Sequence, residues 1–280
     1  MLIKTFAVIS AVMTALNVIL TPLASQGAAL LWIVPLKLLI YFLALNVAYA
    51  IMIFVGTELT IKLDKPQEKQ SKFWGRNLEA IADWLCMYGR VKVHYTGAEK
   101  LPEGRFLMVC NHRSYFDPIV KIPIFKSVDL NYVSKQANFK IPIGGKLMHA
   151  YGCLALDREN NREALKTVKK AAEMINNDEA SICIYPEGTR SRKDELLPFH
   201  AGSFKIAQKT GVPVVVVTLY GTDAVPRNFP LRKTDVYVDV TDVIDAQFVK
   251  EHSTRETAEI ARETIQKKYD EFREKATVRC

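Results

Sequence analysis

Charged residues are almost missing from the first 58 positions, which sets this segment apart from the rest of the chain. No charged residue lies between Lys4 and Lys37, or between Lys37 and Glu58. About 20 apolar residues in helical form cross the hydrocarbon core of a bilayer. The pattern predicts one apolar helix over residues 5–24 and a second over residues 30–56, with the break at residues 25–27.

Three placements of these helices fit the pattern. Lys37 can extend its charge to the interface, the second span can begin after it, or the pair can re-enter one leaflet. A cleaved signal peptide is a fourth interpretation, because Lys4 precedes an apolar stretch and small residues. Basic residues cluster just after the second helix, and the turn between the helices has none. This asymmetry favours a hairpin with the following domain on the cytoplasmic side.

Strand and helix patterns alternate beyond residue 58. Apolar or alternating runs predict strands at residues 91–95, 105–110, 132–133, 153–156, 181–185, 212–220 and 236–240. Helical periodicity covers residues 73–90, 163–176, 203–210 and 253–275, and a further helix is expected to begin near Asp117. We therefore predict an α/β fold, with a mixed, largely parallel sheet flanked by helices and preceded by a two-helix membrane hairpin. The predicted domains are residues 1–57, the hairpin, and residues 58–280, the α/β domain.

The charge and the cysteines narrow the possible partners. The net charge is +8, which suits anionic ligands, but no dense basic tract interleaved with aromatic residues is present, so nucleic acid is not an expected partner. Five lysines between residues 121 and 146 are opposed only by Asp129. They either face phospholipid head groups or an acidic acyl carrier, or form a solvated surface. The five cysteines lack short spacings, which indicates a reducing compartment and neither a disulfide framework nor a metal site.

The most informative motif joins His112 to Asp117, just beyond a predicted buried strand. Histidine accepts a proton near neutral pH, and a carboxylate can hold its other ring nitrogen in one tautomer. Four intervening residues allow the chain to turn into a helix and bring Asp117 back beside His112. The alternative is a helix cap, in which Ser114 is the N-cap residue and Asp117 occupies the third helical position.

Other catalytic arrangements have less support. The chain has no G-x-S-x-G sequence, Ser203 lacks the strand and turn of a nucleophile elbow, and Cys110 is expected to point into the core. The five histidines are scattered, without the close spacing of metal ligands. Direct attack by a substrate hydroxyl, with His112 as the base, is therefore the simplest hypothesis. It requires no metal or other cofactor.

A second motif follows the strand predicted at residues 181–185. Its candidate binding residues are Glu187, Gly188, Thr189 and Arg190. Glycine allows the backbone to approach a ligand closely, and the arginine guanidinium suits phosphate. Arg158 and Lys135 also follow predicted strands and could complete an anion site. The alternative is a structural turn with an Arg–Glu pair, together with two ordinary surface charges.

Taken together, these motifs resemble the 1-acylglycerol-3-phosphate acyltransferases, also called lysophosphatidic acid acyltransferases. The first family block, N-H-x-x-x-x-D, is matched by Asn111, His112 and Asp117, and the third block, E-G-T-R-S, is matched in full by residues 187–191. Residues 152–158 look like the second block, although that block often has a bulky aromatic residue where Leu154 or Ala155 stands. Residues 212–214 look like the fourth family block. The resemblance runs over residues 73–245 and extends to the N-terminal helix pair.

The resemblance implies a membrane-bound enzyme that makes phosphatidic acid. His112, polarised by Asp117, would deprotonate the sn-2 hydroxyl of lysophosphatidic acid, which then attacks the thioester of acyl-CoA or acyl carrier protein. Arg190, together with Lys135 and Arg158, would hold the phosphate. The hairpin would keep the site at the level of the head groups of the membrane phospholipid, where substrate and product stay.

Three alternatives remain at this point. The first is an acyltransferase of the same fold that acts on glycerol-3-phosphate or another lysophospholipid, which a panel of acceptors would reveal. The second is a membrane lipid-binding protein without activity, which the intact His112 and Asp117 disfavour. The third is a thioesterase, in which water replaces the acceptor.

Overall fold

The computed structural model describes residues 2–21, 27–63, 70–193 and 195–277. The chain divides into two units, Met1–Pro66 and Gln67–Cys280. The domain limits at residues 57 and 58 stay a prediction.

The N-terminal unit consists of two apolar helices, α1 (Leu2–Leu20) and α2 (Leu30–Thr60). The segment Gly27–Thr60 is long and apolar enough to cross a membrane, and Lys4–Leu20 is a shorter apolar helix. The break predicted at residues 25–27 lies outside the described residues except for Gly27. Many apolar side chains on both helices are exposed, among them Leu31 and Trp32 of α2, as expected for helices that face lipid.

A hydrogen bond and a ring contact join the two helices of this unit. The Lys37 ammonium on α2 donates a hydrogen bond to the side-chain oxygen of Asn17 on α1. The Phe6 and Tyr49 rings meet edge to face, with their centroids 5.8 Å apart. Ser10 and Thr14, both buried, bond to carbonyls one turn back in α1. Lys37, the one charge inside the second apolar segment, is therefore paired with the neighbouring helix.

The second unit contains a seven-stranded sheet. Its strands are β1 (Val91–Thr96), β2 (Leu107–Cys110), β3 (Leu130–Lys135), β4 (Leu154–Leu156), β5 (Ser181–Ile184), β6 (Val214–Tyr220) and β7 (Thr234–Ile244). They lie in the order β1-β7-β6-β2-β5-β3-β4. The pairing of β6 with β7 is antiparallel and every other pairing is parallel. The predicted mixed, largely parallel sheet is confirmed.

Helices cover both faces of this sheet. They are α3 (Lys72–Tyr88), α4 (Phe116–Ile124), α5 (Gly144–Tyr151), α6 (Asn161–Asn176), α7 (Lys205–Thr210), α8 (Val225–Asn228), α9 (Ala246–Glu251) and α10 (Thr254–Thr277). Met108 and Cys110 of β2 pack into one core with residues of α3, α4 and α5. Leu107 and Val109 pack into a second core with residues of α6, α7, α9 and α10. Alternate residues of one strand thus serve opposite layers, which explains the continuous apolar runs in the sequence.

Some details differ from the sequence-based expectations, among them details of α5 and α6. The helical periodicity of residues 163–176 puts Leu165 on the same side as Ala172 and Ile175, but the Leu165 side chain is 52% exposed, because only the C-terminal half of α6 is buried. Helix α5 was not predicted, since its eight residues begin with a glycine pair and are too few for a clear period. Gly145 is required there because a Cβ atom would lie 2.1 Å from the Phe139 carbonyl oxygen.

The buried face of α10 provides a test of the second core. Ile265 is completely buried, whereas Ile260 on the same helix is 36% exposed. We expect Ile265→Ala to lower the free energy of unfolding by about 2–5 kcal/mol, since it leaves a cavity. Ile260→Ala should change it by less than about 0.5 kcal/mol. Urea unfolding of both variants measures this difference, and equal losses would contradict the packing described here.

Candidate active site

The sequence motifs converge at one edge of the sheet. Strands β2, β5, β3 and β4 are neighbours and run parallel, so their carboxyl ends lie along the same edge. His112 follows β2, Tyr185 follows β5, Lys135 ends β3, and Arg158 lies two residues after β4. Ligand sites of α/β sheets lie at such edges.

The His112 ring and the Asp117 carboxylate are in direct contact. Asp117, completely buried in the first turn of α4, has its Oδ2 atom 2.7 Å from His112 Nδ1. The same oxygen accepts the backbone N–H groups of Arg113 and Ser114, at 2.7 and 2.9 Å. Asp117 therefore both closes the loop and holds the imidazole, and the Nδ1–H···Oδ2 bond leaves Nε2 as the nitrogen that can take up a proton.

The end of β2 is held rigidly on two sides. The Asn111 side chain exchanges two hydrogen bonds of 2.8 Å with the backbone of Leu219 on β6. The Tyr185 ring stacks on the His112 ring, with centroids 4.3 Å apart and an interplanar angle of 25°. Sequence reasoning missed Tyr185 because the contact joins residues from two different strands.

Glu187 ties the two motifs together through the backbone. Its Oε1 atom accepts the N–H of His112 at 2.6 Å, and its Oε2 atom accepts the N–H of Leu197 at 2.9 Å. In return, Ser191 donates its N–H to the His112 carbonyl at 2.9 Å. Burial raises the pKa of the Glu187 carboxyl to about 7, although its two backbone hydrogen bonds act in the opposite direction. Both carboxylate oxygens are thus engaged in holding loops, which points to a structural contribution.

Gly188 is the point where further basic groups approach. Its φ of +71° favours glycine, and a Cβ atom there would lie 3.0 Å from the His200 ring and 3.7 Å from Arg158 Nη1. Arg158 and His200 therefore flank the Gly188 backbone. His200 was not singled out from the sequence, because it lies on a separate loop. Its backbone N–H donates a hydrogen bond to the Pro186 carbonyl.

Arg190 rests on Tyr115, which the sequence motifs did not include as a site residue. Its guanidinium carbon lies 3.6 Å from the centre of the Tyr115 ring, and Nη2 donates to the Tyr115 hydroxyl at 2.8 Å. Thr189 and Lys135 are exposed, Lys135 at the end of β3. The site thus has basic side chains on several strand ends facing solvent.

The lysine-rich stretch is divided between surface and core. Lys126, Lys135 and Lys140 are exposed, whereas Lys121 is completely buried. Lys121 consequently cannot face lipid head groups or a carrier protein. Among the described residues, no group of three or more His, Cys, Asp or Glu side chains is placed to hold a metal ion.

Comparisons with known proteins identify related sequences. The family model described as Acyltransferase matches residues 92–220. A chloroplast 1-acyl-sn-glycerol-3-phosphate acyltransferase of Brassica napus is 32% identical over 174 residues, which cover 61% of this chain and 48% of that protein. The Haemophilus influenzae protein of the same name is 28% identical over 246 residues, 85% of this chain and 97% of that one. The chain spans about half the length of the chloroplast relatives.

A solved structure supports the fold. The crystal structure of the 1-acyl-sn-glycerophosphate (LPA) acyltransferase PlsC from Thermotoga maritima superposes with a TM-score of 0.61 at 23% identity. The match covers 80% of this chain and 88% of that one. These findings confirm the resemblance and the fold class predicted from the sequence.

The raised pKa of Glu187 predicts a pH-dependent stability. The folded protein holds this proton more tightly than the unfolded chain, so stability is lost as the pH rises from about 4.5 to about 7. Relative to Glu187→Gln, the wild-type protein should lose about 2–3 kcal/mol between pH 5 and pH 8. Urea unfolding of both proteins at the two pH values measures this change. A difference that stays constant with pH would contradict the effect of burial.

Proposed function

Because the family model described as Acyltransferase matches residues 92–220, we propose that this chain transfers an acyl group to the sn-2 hydroxyl of 1-acylglycerol-3-phosphate. The acyl donor is acyl-CoA or acyl carrier protein, and the product is phosphatidic acid. The observation that carries this proposal is the His112–Asp117 pair, held at the strand edge beside Arg158 and Arg190. This arrangement combines a general base that can deprotonate a hydroxyl with cations that can bind a phosphate.

In this proposal His112 acts as the general base. Nε2 takes the proton of the acceptor hydroxyl while Asp117 stabilises the imidazolium that forms. The acceptor oxygen bonds to the thioester carbonyl carbon, the carbon–sulfur bond breaks, and the thiolate takes the proton back from His112. A positioned base contributes roughly 10²–10⁴ in rate, and orientation of two bound substrates can supply about 7–11 kcal/mol.

The phosphate of the acceptor would bind the basic groups at the neighbouring strand ends. Arg190 offers a planar fork, already oriented by Tyr115, and Arg158 lies beside the Gly188 backbone. Thr189 adds a hydroxyl donor, and Lys135 would contribute a further charge from the end of β3.

The N-terminal helices would anchor this chemistry at a phospholipid membrane. Both are apolar, and Gly27–Thr60 is long enough to span. We place the catalytic domain on the cytoplasmic side, which agrees with the free thiols of Cys86, Cys110, Cys153 and Cys183.

The first experiment measures acyl transfer by the full-length protein in lipid micelles. With lysophosphatidic acid and acyl-CoA or acyl carrier protein, we expect His112→Ala to lose about 10²–10⁴ in kcat while keeping its thermal midpoint. His252→Ala, which changes a histidine of another region, should keep wild-type kcat. If the wild-type protein forms product with glycerol-3-phosphate or another lysophospholipid but not with lysophosphatidic acid, the acceptor must be reassigned. If it releases the acyl group without any acceptor, it is a thioesterase.

The phosphate contact is tested by Arg190→Ala. Loss of a hydrogen bond to a charged group costs about 1.5–3 kcal/mol, so the KM for lysophosphatidic acid should rise about 10- to 100-fold with a smaller change in kcat. Arg192→Ala removes an exposed arginine two residues away and serves as the matched control. An unchanged acceptor KM for Arg190→Ala would exclude the phosphate role.

A further inference from the structure

Large apolar side chains are exposed unevenly over the second unit. Most of them lie at the edge of the sheet that carries the proposed active site, in segments that precede β1, follow β2 and β3, or join β6 to β7. These residues are Met87, Tyr88, Tyr115, Ile141, Phe229 and Leu231. Single exposed apolar residues are normal, whereas contiguous apolar patches mark sites of interaction with ligands, proteins or membranes.

The most prominent of these segments joins β6 to β7. Strand β6 runs parallel to β2, so its end at Tyr220 lies at the active-site edge. Tyr220 pairs with Tyr237, three residues into β7, so the connection extends beyond the end of β6. Leu231 in this connection is 79% exposed, more than any other large apolar side chain that the structure describes in the second unit.

The exposed residues 229–233 of this connection, which we call the ridge, are held by the neighbouring backbone. Arg90 donates a hydrogen bond from Nη1 to the Leu231 carbonyl at 2.8 Å. A Cβ atom at Gly89 would lie 3.1 Å from Phe229 Cδ2, so the Phe229 ring packs against the end of α3. The ridge therefore presents Leu231 to solvent from a fixed backbone, which limits the entropy lost on binding.

The ridge and the helix before it carry positive charge. Positions 225–233 contain no acidic residue, and their basic residues, all exposed, are Arg227, Arg232 and Lys233. The acidic groups on either side are Asp223, 3.3 Å from Arg227, and Asp235, 3.3 Å from Lys233. Apolar side chains next to basic ones suit the head-group layer of an anionic lipid surface.

The opposite edge of the sheet differs in both respects. Strands β2, β3, β5 and β6 begin there, after residues 101–106, 126–129, 177–180 and 211–213. The charged residues of these segments are Glu103, Arg105, Lys126, Asp129, Asp178 and Glu179, so acidic groups outnumber basic ones. No large apolar side chain in these segments is exposed. Only the active-site edge therefore has the composition that an anionic bilayer attracts.

We propose that the ridge is a membrane contact of the second unit, made in addition to anchoring by the N-terminal helices. Phe229 and Leu231 enter the head-group layer of an anionic phospholipid bilayer, and the basic residues bind the lipid phosphates. The inference rests on the proposed function for its purpose, which is to hold the active-site edge against the leaflet that contains the acceptor. Asp223, in the same connection, lies 3.7 Å from Arg113, the residue after His112.

The test places a probe at the tip of the ridge in full-length protein, in nanodiscs of phosphatidylglycerol and phosphatidylcholine. Leu231→Trp is prepared with fluorotryptophan, and its additional fluorine NMR signal is recorded with and without a phospholipid that carries a nitroxide near the top of its acyl chain. We expect the labelled lipid to abolish this signal by paramagnetic broadening. Because Leu231 is largely exposed, the substitution should leave the thermal midpoint unchanged.

Ile260→Trp is the matched control. Ile260 is also an exposed apolar residue, at 36%, but its neighbours on α10 are Glu256, Glu259 and Glu263, which an anionic surface repels. The additional signal of Ile260→Trp should therefore persist beside the labelled lipid.

Charge reversal tests the electrostatic part of the contact. Each basic residue near an anionic surface strengthens binding roughly fivefold, so Arg232→Glu with Lys233→Glu should restore the signal of Leu231→Trp beside the labelled lipid. The same charge change at two exposed lysines of α6, Lys169→Glu with Lys170→Glu, should leave the signal abolished.

Three results would overturn the inference. The first is a Leu231→Trp signal that persists beside the labelled lipid, or that is lost equally in Ile260→Trp. The second is continued loss after charge reversal in the ridge. The third is loss caused by a spin-labelled acyl carrier protein and not by the labelled lipid, since the ridge would then bind a protein. None of these measurements needs turnover, so absence of acyl transfer would contradict the proposed function alone.

Discussion

The carboxylate of Asp117 is the contact on which the site depends. One oxygen receives two backbone N–H groups of the loop after β2 and also holds the imidazole of His112. The same carboxylate therefore closes the loop and orients the imidazole, so the local fold and the geometry of the site are coupled. Glu187 extends this coupling to the turn after β5, because it accepts the N–H of His112 itself. A displacement of either loop would reach the other through these bonds.

The parallel part of the sheet is what brings distant segments together. His112 and Glu187 lie 75 residues apart in sequence, yet they follow neighbouring strands that run in the same direction. Residues after each strand therefore meet at one edge without any long loop. The strands β1 and β7, which run in the opposite direction to the others, lie at the other side of the sheet from β5, and Ile244 of β7 packs in the core that α10 covers.

Much of this arrangement could be predicted from the sequence. The contacts that could not be predicted were missed for identifiable physical reasons. Continuous apolar runs predicted the strands, because both faces of each central strand are buried. The spacing of His112 and Asp117 predicted their contact, since one loop and one helical turn connect them. Tyr185 and Tyr115 could not be found in this way, because each meets its partner across strands or loops far apart in sequence. Lys121 looked like a surface charge for the same reason, as its thiol partners come from β2 and β5.

Helix α4 carries both a buried anion and a buried cation on one face, and this is costly for stability alone. An apolar residue at position 121 would fill the same space without desolvating an ammonium. The anion bonds directly to the imidazole, whereas the cation lies against two thiols and against the Tyr185 ring that stacks on the imidazole. The two buried charges are therefore held by different elements, the anion by the loop after β2 and the cation by the thiols of β2 and β5.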